Sequence, residues 1–185
     1  MKKYAFVAAV AAVMIPAAAN AGTVGGRVGL RLGWETPTVS GDGDVYKIGS
    51  AVSYGGEAGI DFHAGKKFVV GPFAEYDISS VKNCDSGYCL KVKGALNAGA
   101  RLGLVVGTSG QVYAKLNYSR ISIKATTPVD SASDSKGGVG GAIGYEQGFG
   151  KNLFANIEAN YADYGKWGGI NVQRRQVAAG VGFRF

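Results

Sequence analysis

The chain has 185 residues, 31 of them glycine and 4 proline, and a formal net charge of +7. Its length suits one domain with a sizeable core rather than two. With no Gly-X-Y period, and with 46 % hydrophobic against 18 % charged residues, collagen and extended disorder are excluded, and one histidine with two cysteines leaves little material for a zinc site or a histidine-based centre.

Lys2 and Lys3 precede an apolar stretch, Ala5–Ala19, and Ala19-Asn20-Ala21 then places small residues at −3 and −1 of a cut between Ala21 and Gly22. This is the pattern of a secretory signal peptide, so residues 1–21 read as an address and 22–185 as the mature domain. Cleavage removes two lysines and lowers the formal charge from +7 to +5. The remaining bases are scattered singly along the chain, which points to no nucleic-acid partner. No later apolar run reaches the ~18–20 residues of a membrane helix.

From Gly22 onward the dominant period is two. In Ala51–Ala64, Val52, Tyr54, Gly56, Ala58, Ile60 and Phe62 alternate with Ser53, Gly55, Glu57, Gly59, Asp61 and His63. In Lys91–Val106, Val92, Gly94, Leu96 and Leu102 fall on one side; Lys91, Lys93, Asn97 and Arg101 fall on the other. Such alternation marks strands with one apolar and one polar face. The runs are Thr23–Trp34, Ala51–Ala64, Phe68–Ser79, Lys91–Val106, Gln111–Ile123, Gly138–Gln147, Leu153–Asp163 and Arg174–Phe185. Connections after the second, fourth and sixth are tight, and the others are expected to be loops of ~10–16 residues. Eight antiparallel strands with short turns at one end and long loops at the other predict an all-β, up-and-down transmembrane barrel.

Three features place the apolar face toward lipid. The polar face is rich in Gly and Ala, which suits the cramped interior of an eight-stranded barrel. Trp34, Tyr54, Tyr76, Tyr118 and Tyr161 mark the long-loop end of the apolar face, and Phe62, Tyr145, Phe183 and Phe185 mark the short-turn end, as the two bilayer interfaces require. The chain stops on an aromatic residue, with apolar residues at alternate positions before it. Every backbone group in hydrocarbon must be paired within the protein, so the sheet must close. Arg27, Arg31, Lys93, Arg101, Lys115 and Arg184 then face Glu57, Asp61, Glu75, Asp77, Glu146 and Glu158 across the lumen. The near balance of sign predicts a plug of ion pairs rather than an open channel.

At these residues the chain resembles the small outer-membrane barrels of the OmpA-transmembrane-domain, OmpX and opacity-protein type. FVVGPFAEYDISS (Phe68–Ser80) is similar to the family's third strand and NLFANIEANYADYG (Asn152–Gly165) to its seventh. VAAGVGFRF, with Val177, Val181, Phe183 and Phe185, resembles the C-terminal signal read by the barrel-assembly machinery. The resemblance implies the outer membrane of a Gram-negative bacterium, reached by signal-directed export; the chain is expected to depart from the longer relatives in lacking their appended peptidoglycan-binding domain. Family members include adhesins, structural proteins, small pores and lipid-modifying enzymes. The reading for this chain is a non-enzymatic, cofactor-free barrel with a structural or adhesion-like role. Its partners are outer-membrane lipid, lipopolysaccharide and host or matrix ligands of the loops. A narrow pore and a lipid A-modifying enzyme stand as alternatives.

Cys84 and Cys89, an even pair in an exported chain, read as a disulfide stiffening the third-strand loop. His63 falls on the inward face near the short-turn end with no serine in register, so it reads as a structural lumen residue rather than a catalytic base. Gly41-Asp42-Gly43-Asp44, near Glu35, offers oxygen ligands for calcium, although a solvated turn has the same composition. Residues 128–138 and 164–171 read as mobile polar loop tips. Trp167 reads as an exposed belt residue or a partner contact. Lys47, Lys82, Lys136, Lys166, Arg174 and Arg175 are expected near the loops, placed to bridge lipopolysaccharide phosphates.

Overall fold

In the computed structural model the alternating runs become one antiparallel sheet closed on itself. The described residues are 24–41, 44–85, 87–167 and 169–185. The expected signal segment with its expected Ala21/Gly22 cut, and Asp42 and Gly43 of the calcium candidate, lie outside them. In chain order the strands are β1 (Gly25–Gly41), β2 (Asp44–Lys47), β3 (Ala51–His63), β4 (Phe68–Ser79), β5 (Lys82–Asp85), β6 (Tyr88–Val106), β7 (Gly110–Thr126), β8 (Ser131–Phe149), β9 (Leu153–Trp167) and β10 (Ile170–Arg184). Eight of them, all but β2 and β5, form the wall; β1 pairs with both β3 and β10 and so closes the ring. At the seam the backbones of Gly26 and Phe185 exchange hydrogen bonds of 2.8 and 2.9 Å. A Cβ at Gly26 would lie 2.5 Å from the Phe185 ring, so the terminal aromatic seats only because that position has no side chain.

The strands run further than the alternation of the sequence suggested. The segment expected as a mobile tip at 128–138 is largely β8 from Ser131, and the one at 164–171 is the β9–β10 hairpin. Short β2 and β5 extend β1 and β6 as hairpins at the same end. At the hairpin tips, as at Ser131–Asp134, both sides of the ladder are exposed. The two-faced hydropathy contrast fades there, while the backbone pairing continues.

Outside, Leu30, Leu32, Tyr54, Phe62, Leu102, Leu116, Val139, Ile143, Ile157, Val181 and Phe183 are exposed, forming the apolar band. Trp34, Tyr54, Tyr76, Tyr118 and Tyr161 ring it at the long-hairpin end, and Phe62, Tyr145 and Phe183 at the short-turn end; all are at least 40 % exposed. Inside, charged side chains are almost fully buried.

One strand departs from simple alternation. The β6–β7 register shifts between Val92 and Gly94. This β-bulge adds one residue to β6 and flips the phase before it. Lys93, expected in the lumen, is therefore exposed on the outer wall, and Val92, expected outside, is fully buried within. Gly94 permits the bulge, because a Cβ there would lie 2.3 Å from the carbonyl oxygen of Asp77.

Candidate functional site

The lumen has two sections. The first lies level with the apolar band and is ionic. Among the described residues its cations are Arg27, Arg31, Arg101, Lys115, Arg174 and Arg184, and its carboxylates are Glu35, Glu57, Asp61, Glu75, Asp77, Glu146 and Glu158, all buried. Every wall strand supplies at least one of them. Each is inward because its outward neighbours are apolar: Arg31 sits between Leu30 and Leu32, Lys115 between Ala114 and Leu116.

The centre is Lys115. Its Nζ lies 3.1 Å from Glu57, 2.6 Å from Glu75 and 2.7 Å from Glu158. These three carboxylates, whose oxygens fall within 4.8 Å of one another, are the described group that could hold a metal. The lysine ammonium already supplies the positive charge such a group requires. Arg31 reaches Asp77 at 3.2 Å and Glu158 at 2.7 Å and also contacts Glu75. Tyr113 Oη donates to Glu158 at 2.9 Å.

Toward the short-turn end, Arg27 pairs with Glu57 at 2.8 Å, and Arg101 with Asp61 and Glu146 at 3.0 Å each. Arg184 joins the same two carboxylates, reaching Asp61 at 3.0 Å. The Arg101 guanidinium stacks 3.9 Å from the Tyr113 ring centre. Toward the loop end, Arg174 Nε donates to Glu35 at 2.6 Å and its terminal nitrogen to Asp77 at 3.2 Å, while Gln176 bridges Asp77 and Ser53. A small polar void beside Asn97, Asn117, Asn160 and Arg174 measures about 10 Å³, about the room of one water.

The second section lies beyond the belt and is dry. Ile48, Val81, Val92, Ile121, Ala162, Tyr164 and Val172 form a buried cluster across the barrel, with Val39, Leu90, Ile123 and Trp167 packed against it. Tyr164 keeps its hydroxyl satisfied against Ser119 Oγ at 2.9 Å. Above this layer an apolar hollow of about 240 Å³, lined by Leu90, Ile123, Trp167 and Ile170 among others, opens at the mouth.

Several residues stand elsewhere than the sequence reading put them. Arg174, assigned to the rim, is buried in the ionic section with Glu35 and Asp77. Glu35 is therefore committed to the lumen and is no ligand of the neighbouring turn. Both were within reach of the sequence: Glu35 continues the Arg27–Arg31 phase of β1, and Arg174 shares the phase of Gln176 and Arg184. Lys136 pairs opposite Ile121 and so faces the mouth, while Lys47, Lys82, Lys166 and Arg175 are exposed. Trp167 is neither a belt residue nor free, because it packs on the apolar cluster. His63 is exposed at the short-turn rim, beyond the ionic section rather than within it. Cys84 and Cys89 are bonded and pair directly across the β5–β6 hairpin. Val177, Val181 and Phe183 face outward in the apolar band, and Phe185 lies on Gly26.

Solved structures share this architecture. The attachment invasion locus protein Ail of Yersinia pestis, in complex with the heparin analogue sucrose octasulfate, is 16 % identical, with 87 % of this chain and 99 % of that one covered at a TM-score of 0.60. Neisserial surface protein A is 14 % identical, with 85 % and 97 % covered and a TM-score of 0.57. No curated protein sequence matches the chain. The family model described as "Outer membrane protein beta-barrel domain" matches residues 5–185. With its ring of strands, its lipid-facing band and its ionic lumen, the chain belongs to this family of outer-membrane β-barrels.

Proposed function

We propose that this protein is a non-conducting, non-enzymatic surface barrel of a Gram-negative outer membrane, exported by the signal segment 1–21. It supports the envelope and presents its loop-end hairpins for adhesion-like contacts. The observation that carries this reading is the double closure of the lumen. Ion pairs fill the membrane-level section, and a dry layer from Ile48, Val92, Ile121, Tyr164 and Val172 crosses it again at the mouth. A conducting pore needs a continuous wet path, and eight strands leave no spare width once side chains fill the interior. In this reading Val177, Val181, Phe183 and Phe185 form the strand recognised by the barrel-assembly machinery, and lipopolysaccharide surrounds the wall.

The exposed hairpins carry Lys47, Lys82, Lys166 and Arg175, a charge suited to polyanionic host or matrix glycans. The heparin analogue bound to Ail is consistent with that ligand class for a barrel of this shape. The test has two arms. Purified protein reconstituted in planar bilayers gives no reproducible conductance steps; stable steps would reject the closed lumen. Cells displaying the protein bind immobilised sulfated glycan more than cells lacking it, in a salt-sensitive way; equal binding would reject the adhesive role.

A further inference from the structure

We propose that the outer wall of β5, β6 and β7 just beyond the aromatic belt is a docking site for the phosphates of a glycolipid in the outer leaflet. The proposal rests on the outer-membrane reading above and names the residues that meet the lipid.

Lys82 pairs directly opposite Lys91, and Lys91 directly opposite Lys124. Directly opposed residues share a face with Cβ atoms ~5 Å apart, and like charges so placed repel. The three lysines thus form a continuous row across three strands. The β6 bulge turns Lys93 onto the same wall, and Arg120 stands nearer the membrane on β7. None of these five side chains has an ion-pair partner among the described residues. Hydroxyls lie between them: Ser122 and Ser135 pair at 2.9 Å one step below the row, and Ser133 continues the row on β8. A patch of cations and hydroxyl donors without a carboxylate is a receptor for anionic oxygen.

Its height selects the anion. Same-side residues of a strand recur every ~7 Å. Arg120 is one such step beyond Tyr118 of the belt, and Lys124 is three. The Tyr118 ring leans the same way, its hydroxyl lying over Gly137, where a Cβ would clash. The side chains project sideways from the wall rather than upward from the tips. A ligand touching them therefore stands beside the barrel, its apolar part against Leu96 and Tyr118 of the band. The ~13 Å along the strand between Arg120 and Lys124 exceeds one phosphate. It fits a headgroup carrying several phosphates along its sugars better than a phospholipid with one at belt height.

The test uses the folded full-length mature protein in detergent micelles. Rough lipopolysaccharide with a phosphorylated core, the same glycolipid after chemical dephosphorylation, and a heparin oligosaccharide are titrated in turn, with adducts read by native mass spectrometry. The expected result is a one-to-one adduct with the phosphorylated glycolipid. It weakens at least tenfold in Lys82→Gln/Lys91→Gln/Lys124→Gln and less than twofold in Lys47→Gln/Lys166→Gln, whose residues lie on the opposite side of the ring. Lys91→Arg/Lys124→Arg keeps the charge and retains the adduct, which separates loss of the site from loss of the fold. Undiminished binding by the triple variant, or an equal loss in the opposite-side variant, overturns the site. Equal binding of the dephosphorylated glycolipid overturns the phosphate, and heparin binding that depends more strongly on the triple substitution than glycolipid binding does overturns the lipid. The glycolipid titrations bear neither on conductance nor on capture of sulfated glycan by cells, so the two readings fail separately.

Discussion

The barrel changes polarity at its own waist. On β7, Lys115, Asn117 and Ser119 point inward while Leu116 and Tyr118 point outward; a few residues on, Ile121 and Ile123 point inward while Arg120, Ser122 and Lys124 point outward. Period two continues, but the apolar and polar stripes exchange faces. The cause is the medium outside. Beside acyl chains, polar groups must hide in the lumen and satisfy one another. Beyond the belt, water wets the outer wall, and the inside becomes an ordinary dry core. One chain thus contains a membrane barrel and, stacked on it, a short barrel of soluble type.

The two sections hold the fold in different ways. In the ionic section the geometry is demanding: a one-residue slip of a strand would carry Arg31 or Glu57 to the lipid face, where an arginine at mid-membrane costs roughly 2–4 kcal/mol and a glutamate less. In the dry section any packed aliphatic set of similar volume would serve. The comparison is tested most strongly at Lys115. Lys115→Met removes one cation from among three carboxylates and leaves them buried and mutually repelling. The expected loss is ~3–5 kcal/mol, read as a lower urea midpoint for the heat-modifiable folded band on gels. A change of under ~1 kcal/mol would mean that water already shares the site.

Ile121→Ala in the dry layer comes next. It opens a cavity beneath the mouth hollow, which the neighbouring Val92 and Tyr164 only partly refill, and costs ~2–3 kcal/mol. Lys115 and its carboxylates still block the lumen below, so bilayer conductance stays absent; conductance in this variant would show that the dry layer is the sole seal. The Cys84–Cys89 bond is smaller in reach. It closes a hairpin already paired in register, so Cys84→Ser/Cys89→Ser destabilises that hairpin by ~2 kcal/mol on the loop-entropy estimate. Amide exchange should quicken in β5 and the start of β6, with the global urea midpoint unchanged. A shifted global midpoint would make the hairpin part of the cooperative unit.

Most of the membrane-level architecture was legible in the sequence because lipid imposes a strict rule. The alternation of Val52–Phe62 against Ser53–Asp61 could be satisfied only with the apolar stripe outside, and the aromatic rings marked where the rule begins and ends. The loop-end half was less legible for the same reason. Once the outer medium is water, alternation no longer says which stripe is inside, and Val92 looks identical to a lipid-facing valine. Arg174 was misplaced because it stands past the belt residue Tyr161, with which its neighbour Arg175 pairs, where a base is expected at the rim. Its burial depends on Glu35 and Asp77, which arrive from strands β1 and β4. Pairing of this kind is a property of closure, not of any one segment.

Lys93 gives the smallest effect and the sharpest discrimination. Unbroken period two puts it in line with Asn97 and Arg101, inside the lumen, where deleting its charge would leave a buried partner exposed to the full penalty. The register shift at Gly94 puts it outside in water. Lys93→Ala should therefore change the urea midpoint by no more than an ordinary surface substitution, within ~0.5 kcal/mol. The companion variant is Gly94→Val, whose side chain cannot share space with the Asp77 carbonyl. It should force the bulge to rearrange, turning Lys93 toward Val81 and Val92 and loosening the dry layer, at a cost well beyond that of Lys93→Ala. If Lys93→Ala were the costlier of the two, the phase of β6 beyond the belt would be the opposite of that described, and with it the inversion of faces on that strand.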